Sequence, residues 1–122
     1  MAIGQPPVRR TALAYYVWAY AARGAAYSGL SQYQNAINEY TKAIQLDPNE
    51  AMAYYSRGIS YGELGQYQTA INDYTEAIQL DPDYADAYVK RGLSYYDLGQ
   101  HQYAIADFDK ACSLDSQYCD KE

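Results

Sequence analysis

Few side chains in this sequence could perform chemistry. His101 is the only histidine, and as a general base it would need a nucleophile and an orienting group, for which the sequence offers no evident candidates nearby. Cys112 and Cys119 could supply thiolates, but their spacing of seven residues matches no paired metal motif. We therefore predict that Cys112 packs as a small apolar residue and that Cys119 is a free thiol, with a disulfide as the alternative.

Two other stretches could bind a phosphate or a cation. Residues 23–29, RGAAYSG, contain two glycines, but they lie inside a helical pattern and do not form a phosphate-binding loop motif. Asp81 and Asp83 could contribute to a calcium site, but they flank a turn, where we expect them to cap the next helix. We accordingly expect no enzymatic activity, no metal and no cofactor.

The charge balance argues against nucleic acid as a partner. Acidic residues outnumber basic residues by 15 to 9, so the formal net charge is -6, and no basic stripe is present. Residues 9–22 place two arginines before an apolar run that is short for a membrane span. We interpret this run as a helix in preference to a cleaved signal peptide, and we expect a cytoplasmic protein that does not bind membranes.

The sequence contains an internal repeat. Residues 30–48 read LSQYQNAINEYTKAIQLDP, and residues 64–82 read LGQYQTAINDYTEAIQLDP. Alignment of these stretches gives a period of 34 residues, with 20 of 34 positions identical between the first two units. A period of this length predicts a solenoid, in which stacked neighbouring units bury a shared core.

The period divides the chain into five segments. The three units are residues 17–50, 51–84 and 85–118. Residues 1–16 form an N-terminal segment that extends the first helix, and residues 119–122 form a tail.

Each unit shows two amphipathic helical patterns separated by a break. In the first helix of the second unit, Tyr54, Gly58 and Tyr61 recur at i, i+4 and i+7, which is the spacing of one helix face. Gly65 follows this helix at a position that accepts a left-handed backbone, and Gly99 repeats it in the third unit. Each unit is therefore predicted to be a helical hairpin.

Prolines mark the ends of several predicted helices. Pro48 and Pro82 end the second helix of their units, because proline cannot continue a helix. Pro6 and Pro7 precede Val8, which is a favourable helix start. We expect the first helix to be longer than its counterparts by about two turns.

These recurring positions resemble the tetratricopeptide repeat family over residues 17–118. Each unit carries an aromatic residue, a glycine and a tyrosine in its first helix, then an alanine, an aromatic residue and an alanine in its second helix. In the first unit these positions are Tyr20, Gly24, Tyr27, Ala36, Tyr40 and Ala43, and the equivalent residues follow at each period. The resemblance implies an all-α, right-handed superhelix of three helix-turn-helix repeats that binds other proteins. Ser116 departs from the family pattern, which has a proline there.

A second departure is an arginine where the family usually has leucine. Each arginine is followed 16 residues later by an acid, and the pairs are Arg23 with Glu39, Arg57 with Asp73, and Arg91 with Asp107. We predict a planar guanidinium–carboxylate ion pair across each hairpin. The alternative is a solvated arginine whose aliphatic stem covers the core.

The resemblance also places a concave groove on the first helix of each unit. The groove positions are Trp18, Ala21, Ala25 and Ser28, then Met52, Tyr55, Ile59 and Gly62, then Asp86, Val89, Leu93 and Tyr96. This surface is mostly apolar, so we predict that it captures an apolar or amphipathic segment, with Trp18, Tyr55 and Tyr96 as anchors. The alternative is that the protein's own packing covers these side chains.

The groove lacks the residues of one known binding mode. Members of the family that bind chaperones hold a C-terminal carboxylate with lysine, arginine and asparagine, whereas the matching positions here are Ala21, Ala25, Ser56, Asp86 and Lys90. We therefore expect a protein-interaction scaffold without a carboxylate clamp. The alternative function is a self-assembling module, in which residues 1–10 or the terminal hairpin of one copy bind a second copy.

Overall fold

The computed structural model describes residues 8–120, with side chains described from residue 12. These residues form six α-helices: α1 (Val8–Gly29), α2 (Tyr33–Leu46), α3 (Ala51–Glu63), α4 (Tyr67–Leu80), α5 (Ala85–Asp97) and α6 (His101–Leu114). A short 3₁₀ helix (Ser116–Tyr118) follows. The described part of the chain contains no strand, and the predicted all-α, right-handed superhelix of helix-turn-helix units is confirmed.

The six helices pack as three hairpins stacked in chain order. Helices α1 and α2, α3 and α4, and α5 and α6 form the hairpins, while α2 packs on α3 and α4 packs on α5. Helix α1 has 22 residues and α3 has 13, so α1 is longer by nine residues, or about two and a half turns. The additional turns of α1 extend past the first repeat toward the N-terminus. Pro6 and Pro7, which motivated the predicted start, lie outside the described residues.

The turn inside each hairpin depends on one residue with a left-handed backbone. Gly65 has a φ of 76° and Gly99 a φ of 77°, as the helix breaks in the sequence predict. In the second hairpin the N–H of Gln66 donates to the carbonyl of Tyr61, which closes the end of α3. Ser31 occupies the equivalent position in the first hairpin with a φ of 59°. The first hairpin therefore makes the same turn with a residue for which this backbone is less favourable.

The turns between repeats correct the predicted role of Asp81 and Asp83. The side chain of Asp81 accepts a hydrogen bond of 3.2 Å from the backbone N–H of Asp83, and Asp47 accepts the equivalent bond of 3.1 Å from Asn49. The N-cap residue of α5 is Tyr84, and it forms no side-chain capping bond. The prediction that these aspartates cap the next helix was wrong, because the carboxylate of Asp81 closes its own turn instead.

Close approach of the two helices in a hairpin explains the recurring glycine. A Cβ added to Gly58 would lie 2.7 Å from Cε1 of Tyr74, and a Cβ added to Gly92 would lie 2.6 Å from Cε1 of Phe108. Tyr74 is 2% exposed, so its ring has little room to move. Glycine is therefore needed where the aromatic residue of the second helix packs closely against the first helix.

The end of the third repeat corrects the prediction for the two cysteines. Cys112 and Cys119 form a disulfide, with a Cα–Cα distance of 4.5 Å. Helix α6 ends at Leu114, and the 3₁₀ helix then turns the chain back so that Cys119 meets Cys112. The prediction of a free thiol was wrong, because the sequence spacing alone does not show this reversal.

Candidate protein-binding groove

An apolar cavity of about 430 Å³ lies between α1 and α3. Helix α1 contributes one wall through Leu13, Ala14, Val17, Trp18, Ala21 and Ala25. Helix α3 contributes Met52, Ala53 and Ser56, and α2 contributes the buried Tyr40. Leu13 and Ala14 belong to the N-terminal extension of α1. The longer first helix therefore enlarges the wall of this cavity beyond what one repeat would supply.

Three large apolar side chains of this cavity are exposed to solvent, and Leu13 is the least exposed of them at 42%. Trp18 is 66% exposed and Met52 is 67% exposed. Ala21 and Ala25 lie beside Trp18 on the same helix, and their small side chains leave the cavity open. Such a combination of exposed anchors and open volume is suited to receiving a bulky apolar side chain.

Acidic residues border the same cavity. Asp47 and Glu50, from the turn between α2 and α3, are among its lining residues. The side chain of Asp47 is held in place by the backbone N–H of Asn49, whereas Glu50 is the N-cap residue of α3 without a side-chain capping bond. Among residues 12–120, no lysine or arginine lines this cavity. The opening therefore combines an apolar interior with negative charge.

The third repeat contributes to a second, smaller cavity of about 140 Å³ between α3 and α5. Ile59 and Leu93 line it together with the charged residues Glu63, Lys90 and Asp97. This cavity is much more polar than the first. Seven of the twelve predicted groove positions thus line two chemically different cavities, and the apolar one is formed by the first two repeats together with the N-terminal extension of α1.

The other five predicted groove positions line neither cavity: Ser28, Tyr55, Asp86, Val89 and Tyr96. Tyr55 is half-buried, with its ring centroid 4.9 Å from that of Tyr84 and 6.0 Å from that of Tyr74. This burial raises the pKa of Tyr55. Val89 packs on the same internal cluster, while the exposed ring of Tyr96 contacts His101 at a centroid distance of 4.9 Å.

Tyr55 is therefore only partly accessible, and its role as an anchor stays a prediction. Tyr84 covers it from the last position of the second repeat. The first repeat has Glu50 at this position, so the repeat pattern did not indicate a covering ring.

The structure brings together each arginine with its predicted acid. Arg57 holds Asp73 through Nε and Nη2 at 2.8 Å each, and Arg91 holds Asp107 at 2.8 and 2.7 Å. In both pairs the arginine side chain is only 18% exposed. The hydrogen bonds to Asp73 raise the pKa of Arg57 further, so this guanidinium keeps its charge.

The first pair has the same geometry but a more open environment. Arg23 donates to Glu39 from Nε at 2.7 Å and from Nη2 at 3.1 Å, yet its side chain is 56% exposed. Lys42 also approaches Glu39 at 3.7 Å. Arg23 is therefore as exposed as the alternative of a solvated arginine predicts. It nevertheless forms the ion pair with Glu39.

Two of these arginines also reach the preceding repeat, which the sequence reasoning missed. Nη1 of Arg57 donates to Thr41 Oγ1 at 3.1 Å, and Nη1 of Arg91 donates to Thr75 Oγ1 at 3.2 Å. Thr41 and Thr75 stand at the same position of their repeats, two residues after the paired acid of that repeat. This recurrence is the signal that could have indicated the contact.

The described residues show neither a metal cluster nor a membrane span. Across residues 12–120, no group of three or more histidine, cysteine, aspartate or glutamate side chains could hold a metal ion. None of the six helices, within the range that the structure describes, has both the length and the apolar character to cross a bilayer.

Comparison with known families agrees with the repeat architecture. A family model described as TPR repeat matches residues 29–65 and 60–99, and a model described as tetratricopeptide repeat matches residues 85–118. The chain belongs to the tetratricopeptide repeat (TPR) family. This TPR protein has the fold of a protein–protein interaction scaffold.

Several solved structures resemble this TPR protein over most of its length. The second TPR of Spaghetti (RPAP3), bound to the HSP90 peptide SRMEEVD, is 30% identical with a TM-score of 0.80, and the match covers 82% of this chain and 93% of that one. The Arabidopsis OM64 TPR domain is 31% identical with a TM-score of 0.85, covering 86% and 87%. MamA is 32% identical with a TM-score of 0.79, covering 83% and 59%. The search of curated proteins found no match.

Proposed function

We propose that this TPR protein binds an apolar or amphipathic segment of another protein in the cavity between α1 and α3. The observation that carries the proposal is the apolar cavity of about 430 Å³ with Trp18 and Met52 exposed at its walls. An apolar side chain that enters this cavity would bury both residues, and removal of apolar surface from water favours binding by about 25 cal/mol per Å² before the cost of association. Trp18 is the strongest candidate anchor, since tryptophan is enriched among residues that dominate binding energy.

We further propose that the protein does not act as a carboxylate clamp. The solved relatives include TPR domains bound to peptides that end in EEVD. The positions that correspond to the clamp in this chain include Ala21, Ala25 and Ser56, which line the apolar cavity. Asp86 is engaged with the hydroxyl of Tyr118, and Lys90 lies in the second cavity beside Glu63. A terminal carboxylate in the first cavity would meet Asp47 and Glu50, and none of the cavity-lining residues between 12 and 120 is a lysine or arginine.

The proposal is tested by filling the cavity. Random peptides displayed on phage are selected on the full chain, and the selected peptides are measured against a variant with Ala21→Leu and Ala25→Leu. The matched control carries Ala22→Leu and Ala26→Leu on exposed positions of the same helix, outside the cavity lining. We expect affinity to fall at least about tenfold in the first variant only, because the added side chains occupy the binding volume. Equal affinity for both variants, or failure to select any peptide, would contradict the proposal.

Self-association through residues 1–10 or the terminal hairpin is the alternative, and residues 1–7 lie outside the described part of the chain. The sequence carries Arg9 and Arg10 near this end, and the cavity is bordered by acids, so one copy could bind another. Light scattering of the chain with and without residues 1–10 distinguishes the two functions. A dimer that is lost on truncation supports self-assembly, and a monomer in both cases supports binding of a different protein.

The remaining predictions concern activity, nucleic acid and compartment. A purely binding role without catalysis accords with the TPR fold, whose members are interaction modules. The acidic border of the cavity and the net charge of -6 oppose a nucleic-acid partner.

The predicted cytoplasmic location is tested by the redox state of Cys112 and Cys119 in cells, because disulfides persist in oxidising compartments and are rare in the cytosol.

A further inference from the structure

The acids at the first cavity are available to a partner. Asp47 is fixed by the hydrogen bond from Asn49 to its Oδ1, so its carboxylate is already ordered at the cavity edge. Glu50 is exposed and does not cap α3 with its side chain. Within residues 12–120, neither Asp47 nor Glu50 forms an ion pair.

The cations of the described chain are positioned elsewhere. Arg57 and Arg91 are committed to Asp73 and Asp107, and Arg23 is committed to Glu39. Lys90 lines the second cavity, which Glu63 and Asp97 also line. Among the side chains that the structure describes, no lysine or arginine lines the first cavity to balance its negative charge.

We propose that the segment bound in the first cavity is basic as well as amphipathic: an apolar side chain enters between Trp18 and Met52, and flanking lysine or arginine residues pair with Asp47 and Glu50. This inference rests on the proposed function and specifies the partner's chemistry. Complementary charge raises the association rate and rejects partners of like charge. The site would therefore discriminate against acidic peptides, which is the opposite preference to that suggested by the EEVD peptides bound to the related TPR domains.

The experiment uses three peptides of equal length with the same apolar anchors. Their flanking positions carry lysine in the first peptide, glutamine in the second and glutamate in the third. Trp18 is the only tryptophan and lines the cavity, so its fluorescence reports binding at this site directly. We expect the lysine peptide to bind about tenfold more tightly than the glutamine peptide, the glutamate peptide to bind most weakly, and added salt to reduce these differences.

Variants of the two acids test whether this preference comes from the cavity edge. In the double variant Asp47→Asn and Glu50→Gln, we expect the lysine peptide to lose its advantage, because both charges are removed while the acceptor for Asn49 is kept. The control variant Asp83→Asn and Asp109→Asn removes the same charge at exposed positions outside the cavity lining, and it should keep the preference. Circular dichroism establishes that both variants are folded.

Each failure has a distinct meaning. All three peptides could bind equally, with binding abolished in the variant Ala21→Leu with Ala25→Leu. This result would overturn the charge preference but would still support the proposed function. A preference for the glutamate peptide, or a lysine preference that survives Asp47→Asn with Glu50→Gln, also overturns the inference. Absence of binding by any of the three peptides overturns the inference, and the phage selection described above then decides the proposed function separately.

Discussion

Arg57 donates a hydrogen bond from Nη1 to Oγ1 of Thr41 in the preceding repeat, over 3.1 Å. The same guanidinium holds Asp73 of its own hairpin through its other two nitrogens. One side chain thus joins α2, α3 and α4, and Arg91 repeats the arrangement with Thr75 and Asp107. Because the stability of a solenoid is the sum of terms within repeats and between repeats, these arginines contribute to both.

Replacement of Thr41 by valine should weaken the contact between the first two repeats. Thr41→Val removes the acceptor of Arg57 Nη1 while nearly preserving side-chain volume, so we expect the free energy of unfolding to fall by about 1–2 kcal/mol in urea denaturation. Thr69→Val, at an exposed position of α4, is the matched control and should change stability little. Equal stability of the two variants would show that the hydrogen bond to Thr41 contributes nothing measurable.

A double-mutant cycle should reveal coupling between Arg57 and Asp73. Asp73 is 5% exposed, so Arg57→Leu alone leaves a buried carboxylate unpaired and should cost about 3 kcal/mol. The double variant with Asp73→Leu should be more stable than the sum of the single losses predicts, by more than about 1 kcal/mol. The cycle for Arg23 and Glu39 should give weaker coupling, because Arg23 is 56% exposed and solvent screens it. Additive losses in the Arg57 cycle would rule out the coupling.

The features that the sequence predicts correctly are those repeated within each unit. Gly65 and Gly99 mark the hairpin turns because a left-handed backbone strongly favours glycine. The arginine and acid 16 residues apart recur three times, and a constant offset in a repeated hairpin places both side chains at the same crossing each time. These features can be predicted from the sequence because they depend only on local residue types and on the 34-residue period.

The features that the sequence does not predict depend on contacts between units or on the chain ends. Tyr55 is covered by Tyr84, a ring for which the first repeat has no equivalent. Cys112 meets Cys119 only because a 3₁₀ helix reverses the chain after α6. The apolar cavity also depends on Leu13 and Ala14, which the N-terminal extension of α1 supplies, whereas Glu63, Lys90 and Asp97 make the second cavity polar.

Two glycines of α3 should respond in opposite ways to alanine. A Cβ on Gly58 would lie 2.7 Å from the buried ring of Tyr74, so Gly58→Ala should destabilise the protein by about 1–3 kcal/mol despite the better helix propensity of alanine. A Cβ on Gly62 would meet its nearest atom at 3.8 Å, so Gly62→Ala should stabilise the protein by up to about 1 kcal/mol. Thermal unfolding of both variants provides the measurement. A stabilising Gly58→Ala would contradict close packing at this crossing.

Alkaline pH should destabilise the fold through the partly buried Tyr84. Burial raises the pKa of Tyr84 to about 12 from the ordinary value of 10. A raised pKa means that the fold favours the neutral form, so this contribution to stability is complete below pH 10 and is lost as the pH rises from 10 to about 12. Urea denaturation across this pH range should show the free energy of unfolding falling as the pH rises. In the variant Tyr84→Phe this fall should be less steep. The exposed Tyr103→Phe is the control, and an equal effect of both variants would contradict the assignment to Tyr84.

Reduction of the disulfide should loosen the end of the third repeat. The bond between Cys112 and Cys119 closes a short loop around the 3₁₀ helix and holds Tyr118 near α5, where its hydroxyl donates to Asp86. This hydrogen bond, with burial, raises the pKa of Tyr118 to about 12. Opening a loop of this length should lower the free energy of unfolding by about 2 kcal/mol, since the unfolded chain regains conformational freedom.

The loss of stability on reduction of the disulfide should begin at the C-terminal turn and leave the cavity between α1 and α3 intact. Hydrogen exchange with and without a reductant should show faster exchange at residues 115–120 and unchanged protection in α3, which packs in the interior of the stack. The double variant Cys112→Ser with Cys119→Ser should match the reduced protein and show no response to the reductant. Titration of two free thiols in the folded, untreated protein would contradict the bond itself, and identical stability of its oxidised and reduced forms would contradict its role in holding Tyr118 against α5.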